Sequence, residues 1–568
     1  MSTSLNVHER VVGGIRKERE ALSTYGVSEI IGLIESGKVA RAVGHAFYFS
    51  PPDLLKEVSA QVADVLQGRK EIADTQYMEY VVYAVSMAVG LDSAQIKWRL
   101  IDLLSKAEIA RLASLYRDLV AGVKNNSVAV DNYLAVLAQE VHDRYVTEAR
   151  SKEDAVAAKE KVLAGTLADY VDMMIEDVHN SNLYAYAMGL DSVIDTETVW
   201  GNDFGAFLQF ALWCGASFQT TNPPLVKMAW DLDPSLWTKR VAAVYASLDL
   251  SAIDAGQMTD DEKKVAILTY SIVEYSCQFV RDLYLFSEGA LGFVCYQVNP
   301  NHHGNTQKMV DEVSFVHAVM GQRLGNGYEP NISFKIPGTN AALLAAKAIG
   351  KMGISLTITL SFGVFQAMEF GKVFADSTAA VNSVVIMNGR LAFPVRDQLL
   401  AEHPDKKDQY VESAKWVGVD VTRHLYAGLY SGVESGGLGL DPKRVRIMNA
   451  SLRIYGLEIP DVMEIWGSPS ITIFPNVRHS LDLKARDFDC DAVRRPIEKS
   501  VRDANADSEI FRQSWYFDGD DMAYAPASQL VLADTEPEVI TTWVPIAETL
   551  SQFLGSYAST KELIGFMS

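Results

Sequence analysis

Two rhythms of apolar residues divide the chain near residue 195. Before it, apolar positions recur at helical spacing: Ile109, Leu112, Tyr116 and Leu119 share one face, as do Leu134, Leu137 and Val141. Pro51 and Pro52 suit the first turn of a helix. The charged, alanine-rich stretch 147–162 predicts an exposed helix or connector. Strand-like runs are scarce, so residues 1–190 are expected to form an all-α unit.

After residue 195 the rhythm becomes strand, loop, helix. Short apolar runs recur in TVWGND (198–203), GASFQTTNP (215–223), GFVCYQVNP (292–300), ISFKIPG (332–338), ISLTITLSF (354–362), NSVVIMNGR (382–390), VRIMNAS (445–451) and SITIFP (470–475). Nearly continuous apolar strands alternating with helices imply a parallel sheet covered on both faces. Eight of them predict an α/β fold, a (β/α)8 TIM barrel over residues 195–480. Residues 481–568 are expected to be a polar tail segment packed on the barrel.

Composition narrows the class of partner. The net charge of −21 keeps a protein soluble and repels nucleic acid and anionic membranes. The run over 341–364 is interrupted by Lys347 and Lys351, so helix, turn and strand are expected there rather than a membrane span. Cys214, Cys277, Cys295 and Cys490 are few and dispersed, as reduced thiols are. The charged N-terminus lacks a signal-peptide core, and a cytoplasmic protein is expected. Adjacent His302 and His303 cannot form a helical i, i+4 metal pair and are taken as loop residues, and the glycine-rich stretch 434–441 as a surface loop. No metal or cofactor is expected.

The chemistry centres on Lys335, set among Ile332, Phe334 and Ile336 in a strand otherwise built for burial. A lysine in a barrel loses hydration of its ammonium, and a neutral amine attacks carbonyls to form a Schiff base. A structural pairing with a barrel carboxylate is the competing role. Neighbouring strand ends offer Asp203 to move protons, and Asn222 and Thr359 to orient a water or a hydroxyl. Arg390, Ser451 and Arg453 form a second group suited to a phosphate, in a fold that often binds phosphate near its seventh and eighth strands. Surface arginines paired with acidic neighbours are the alternative.

These motifs, over residues 195–480, resemble the transaldolase family of class I Schiff-base aldolases. TTNPPLV is similar to the family's Thr-Thr-Asn-Pro signature and NISFKIPGT to its lysine strand. The resemblance implies Lys335 as the Schiff-base lysine, Asp203 as proton carrier, Thr359 as the catalytic threonine, Asn222 as a substrate ligand, and Arg390, Ser451 and Arg453 as the phosphate site. The chain departs from the family at five places, one of them Asn299 in place of an aspartate near Gln297. Gln297 stands where transaldolases carry a glutamate that works with a catalytic water, as in the related fructose phosphate aldolases, and an amide cannot accept that proton. Thr357 replaces an asparagine near the Schiff base, Val385 a serine, and Met387 the tyrosine of those aldolases.

The resemblance implies transfer of a three-carbon ketol unit from a phosphorylated keto-sugar to an aldehyde. A class I aldolase that cleaves without transfer, and a non-catalytic barrel serving as a binding module, remain as alternatives. A homo-oligomer is compatible with the sequence, and the helical N-terminal unit has no counterpart in ordinary transaldolases.

Overall fold

The computed structural model describes residues 2–123, 127–325, 327–532 and 537–567. Eight parallel strands close into a barrel: β1 Val199–Asn202, β2 Phe218–Gln219, β3 Val294–Gln297, β4 Ile332–Pro337, β5 Leu356–Thr359, β6 Asn382–Met387, β7 Val445–Ala450 and β8 Ser470–Ile473. The pairing of Val199–Asn202 with Ser470–Ile473 completes the ring. Every strand residue is buried, because helices cover the outside and side chains fill the inside. Strand alternation sorts the two faces. On β4, Phe334 turns outward against the Tyr296 ring, at 5.7 Å between centroids, while Ser333 hydrogen-bonds Thr357 at 2.8 Å across neighbouring strands. Lys335, two residues beyond Ser333, shares its inward direction.

The chain before β1 is helical. Its helices bury the predicted faces: Ile109, Leu112, Tyr116 and Leu119 on Lys106–Gly122, and Leu134, Leu137 and Val141 on Val128–Thr147. Ser105, Ser151 and Thr166 cap the starts of their helices by accepting the N–H of Glu108, Asp154 and Asp169.

Buried charge fastens this region to the barrel. Glu148 accepts hydrogen bonds from Arg144 at 3.2 Å and from Arg478 at 2.8 Å, and Arg144 also pairs with Asp177. Both guanidiniums lie against the Phe210 ring, at 3.9 and 4.8 Å from its centroid. Burial would raise the Glu148 carboxyl, but Arg144, Arg478 and Arg150 together hold it down at about 2. Glu18 joins the first helix, Ser2–Ser23, to Arg281 of helix Asp260–Phe286. The apolar core runs without a break from the helical region into the barrel.

The C-terminal segment departs from the expected polar tail. It contains helices Lys499–Asn505, Glu509–Trp515 and Val544–Lys561. Arg502 and Trp515 both donate to the buried Asp420 carboxylate of a barrel helix, at 2.7–2.9 and 3.2 Å. Helix Val544–Lys561 packs against Pro223–Leu232, the helix after β2, at the barrel mouth.

His302 lies in the loop after β3, as expected, but its ring is held there by carboxylates. It is buried in a 3-10 turn, with Nε2 at 2.8 Å from Glu262 and Nδ1 at 3.4 Å from Glu312. Burial lowers its pKa, but the two carboxylates more than offset this and raise it overall. Among the described residues no helix is long and apolar enough to cross a membrane.

Candidate active site

The C-terminal ends of the strands open into a cavity of about 570 Å³. Asp203, Asn222, Lys335, Thr359, Arg390, Ser451 and Arg453 line it together, with Val385, Met387, Phe474, Asn476 and Phe553. Seven positions chosen from six separate motifs thus meet on one space.

Lys335 is 4% exposed, and its Nζ donates to the backbone carbonyl of Thr221 at 2.9 Å. Among the described residues Lys335 makes no ion pair, although Asp203 lines the same cavity and feels its charge. The acceptor is held by the turn after β2. Thr221 donates its hydroxyl to the Cys295 carbonyl at 2.7 Å, and Asn222 caps the next helix by accepting the Leu225 N–H at 3.0 Å. The prolines after Asn222 occupy the first helical positions, where a missing N–H costs nothing. With its oxygen used as a cap, Asn222 keeps its N–H groups to offer a ligand.

Asp203 follows β1 directly. Its Oδ1 accepts the Thr220 hydroxyl at 2.6 Å, and Thr220 in turn meets Thr472 of β8 at 2.5 Å. Burial raises the Asp203 carboxyl above the usual range, against the opposing pull of Lys335, the Thr220 hydrogen bond and Arg390. A carboxyl so raised is better matched to giving and taking a proton near neutrality. Thr359 points its hydroxyl toward the Met387 sulfur at 3.9 Å, a weak partner that a substrate or water readily replaces.

The two arginines follow β6 and β7, as the order of the strand-like runs implies. Arg390 lies in the first turn after β6. Gly389 makes the approach possible: its N–H donates to the Ser451 carbonyl at 2.9 Å, and a Cβ there would overlap Arg453 and that carbonyl. Ser451 adopts φ +59°, a left-handed conformation uncommon outside glycine, and its buried hydroxyl has no hydrogen-bond partner among the described residues. Arg390 is lowered by burial and by repulsion from Arg453, which Asp203 and Glu548 offset only in part. Burial likewise lowers Arg453, with Asp461 and Tyr455 opposing. Two under-neutralised guanidiniums beside an unpaired hydroxyl form a cradle for an anion.

Two predicted positions stand apart. Thr357 lies one layer deeper, its hydroxyl shared with Ser333 at 2.8 Å and Cys295 Sγ at 3.6 Å, and it does not line the cavity. Gln297 donates its Nε2 to the Lys335 carbonyl at 3.2 Å, while its buried Oε1 has no partner among the described residues. It borders a separate void of about 10 Å³ with Glu312 and Tyr557. That void is about the size of one water.

Sequence reasoning missed the contribution of helix Val544–Lys561. Phe553 lines the cavity, and Gln552 accepts from Arg390 at 2.6 Å. It also missed Asp461, whose Oδ2 accepts the Arg453 N–H at 2.9 Å and whose carboxyl burial pushes up to about 7. Nothing local marks these residues: one belongs to an ordinary amphipathic helix, the other to a Pro-Asp helix start.

Comparisons with known proteins match most of the barrel to one family. The family model Transaldolase/Fructose-6-phosphate aldolase matches residues 208–527, more than half of the chain. Asp203, the helical region and helix Val544–Lys561 lie outside that stretch. A transaldolase of Mycolicibacterium paratuberculosis is 28% identical over 132 residues, 23% of this chain and 34% of that one. A transaldolase of Renibacterium salmoninarum is 31% identical over 110 residues, 19% and 28% of the two chains. A transaldolase of Thiobacillus denitrificans is 26% identical over 163 residues, 29% and 40%. The chain thus spans about a third of the length of the curated relatives it matches.

Proposed function

The chain belongs to the transaldolase/fructose-6-phosphate aldolase family, and from that premise we propose that it transfers a three-carbon ketol unit from a phosphorylated keto-sugar to an aldehyde through a Schiff base on Lys335. One observation carries the proposal: a buried amine that makes no ion pair among the described residues shares a cavity with a raised carboxyl and two under-neutralised arginines.

In the proposed cycle the Lys335 amine attacks the donor ketone and water leaves, giving a protonated imine. Asp203 takes the proton of the hydroxyl one carbon beyond the adjacent carbon. The carbon–carbon bond between them breaks, its electron pair flows into the imine, and an aldehyde departs, leaving an enamine. The enamine carbon then attacks the acceptor aldehyde, and Asp203 returns the proton to the new alkoxide. Hydrolysis of the imine frees the product and the lysine. Arg390, Ser451 and Arg453 hold the phosphate and so set the reacting carbon over Lys335. Asn222 and Thr359 orient hydroxyls or water, and Thr357 supports the lysine strand from below.

Gln297 favours a second reading within the same chemistry. Without a carboxylate there, release of the enamine by protonation competes with transfer, which is an aldolase reaction. Cytoplasmic location, a small-molecule rather than nucleic-acid partner, and homo-oligomerisation stay part of the proposal.

Borohydride reduction with a panel of keto-sugar phosphates tests it. A reduced three-carbon adduct on Lys335, located by peptide mass, is the expected result. No adduct with any donor, in protein shown to be folded, would leave the barrel a binding module.

A further inference from the structure

The barrel interior, toward the N-terminal ends of its strands, holds a charge that the Lys335 chemistry does not use. Asn449 of β7 accepts the Thr422 hydroxyl of the outer helix Val417–Tyr430 at 2.7 Å, so it faces outward. Strand alternation then turns Arg446, Met448 and Ala450 inward, and Ala450 lines the mouth cavity. Arg446 is 5% exposed. Among the described residues it makes no ion pair and no hydrogen bond, and its Nη1 is fully buried. The nearby Tyr430 hydroxyl is already committed, donating to the Val445 carbonyl at 2.9 Å and accepting the Ile447 N–H at 2.8 Å. Burial lowers the guanidinium to about 10, against a weaker pull from Tyr430 and Asp441, so it stays charged at neutral pH.

The surroundings are polar but bring no negative charge. No strand of the barrel contains an Asp or a Glu. Arg446 is in register with Ser383 of β6, and Ser383 with Thr357 of β5, whose hydroxyl is shared with Ser333. Ser383 is buried, and its hydroxyl also has no hydrogen-bond partner among the described residues. Barrel interiors are usually filled by bulky branched side chains. Serine at the inward positions 333, 383 and 470 instead gives hydroxyls and less bulk around the guanidinium. A buried cation without a counter-charge is among the costliest arrangements in a protein core. Guanidinium and hydroxyl are both donors, and together they suit an anion.

We propose that the barrel interior binds one small inorganic anion of chloride size, held by the Arg446 guanidinium and the Ser383 hydroxyl. The ion neutralises the core and takes no part in the Lys335 chemistry, so its test reads scattering and stability rather than turnover.

Bromide is the probe for position. Crystals of the full chain grown in sodium bromide are expected to show an anomalous peak at hydrogen-bond distance from Arg446 and Ser383, and Arg446→Met should lose it. In solution, urea titrations at constant ionic strength, with sodium gluconate exchanged stepwise for sodium chloride, should show a midpoint that rises and then saturates. Arg446→Met, an apolar replacement of similar length of the kind buried charges often tolerate, should abolish the rise. Arg446→Lys should keep it in weakened form. Ser383→Ala should raise the chloride concentration at half-effect about tenfold, the worth of one hydrogen bond to a charged group. The proposal is overturned if water alone lies beside Arg446, if bromide scatters only at the surface, if the midpoint ignores chloride, or if Arg446→Met or Ser383→Ala responds as the parent does.

Discussion

Arg390 and Gln552 are 162 residues apart in sequence, yet the Arg390 Nη1 donates to the Gln552 Oε1 at 2.6 Å across the barrel mouth. The contact brings the last long helix to the candidate phosphate site. Phe553, the next residue, lies about as far from the same guanidinium as a weak cation–π contact allows, at 6.0 Å. A neutral amide positions the arginine without cancelling its charge, as an anion site requires. Gln552→Ala should therefore raise KM for a phosphorylated donor about three- to tenfold, the worth of one hydrogen bond to a charged group, with little change in kcat. Steady-state kinetics with phosphorylated and unphosphorylated donors checks this, and only the phosphorylated one should respond.

Lys335→Ala should abolish borohydride adducts and lower turnover by roughly 10⁴-fold or more, since a covalent route has no substitute for its nucleophile. Adduct mass and single-turnover kinetics are the measurements. Asp203→Asn should behave differently. It leaves the amine, so an adduct still forms, but turnover should drop about 10²–10⁴-fold with loss of the proton carrier.

Gln297→Glu restores the carboxylate of the wider family beside the small void. Product ratios with and without an acceptor aldehyde should shift toward transfer. An unchanged ratio and rate would remove position 297 from the choice of reaction.

Asp461 makes stability depend on pH. Its carboxyl is raised in the folded chain from 3.8 to about 7, so the folded state holds a proton that the unfolded chain has released across that interval. Its contribution is fully present below 3.8 and is lost as pH rises toward 7, by about 4 kcal/mol in total at 1.36 kcal/mol per unit. Asp461→Asn should flatten this slope in denaturant titrations at several pH values, and be more stable than the parent at pH 8.

Glu148 has the opposite sign. Its carboxyl is depressed from 4.5 to about 2, so its contribution is present above 4.5 and is lost as pH falls through that range. Glu148→Gln leaves Arg478 and Arg144 buried with less charge to offset them, and should cost about 3–5 kcal/mol in chemical unfolding at neutral pH.

Local chemistry made much of the molecule legible beforehand. The helical faces around Leu112 and Leu137, the eight strands, and the turn Thr220-Thr221-Asn222-Pro223 each follow from spacing and side-chain type over a few residues. Lys335 stood out because a charge within a buried strand demands a reason. The motif order then brought Asp203, Thr359 and Arg390 to one mouth, since parallel strands of a closed barrel all end on the same face.

What the sequence left open depended on contacts made across long separations. Thr357 sits on the same strand as Thr359, but strand tilt puts its hydroxyl in the layer with Ser333 and Cys295. A tail that reads as polar carries Phe553 to the cavity, because helix Val544–Lys561 packs on Pro223–Leu232 and its Gln552 meets Arg390, both far away in sequence. Sequence by itself determined the elements and the chemistry each strand end offers, since those are short-range properties of the chain. Which groups share a cavity, which are paired and which are left unpaired was decided by packing alone, since burial and charge depend on neighbours hundreds of residues away.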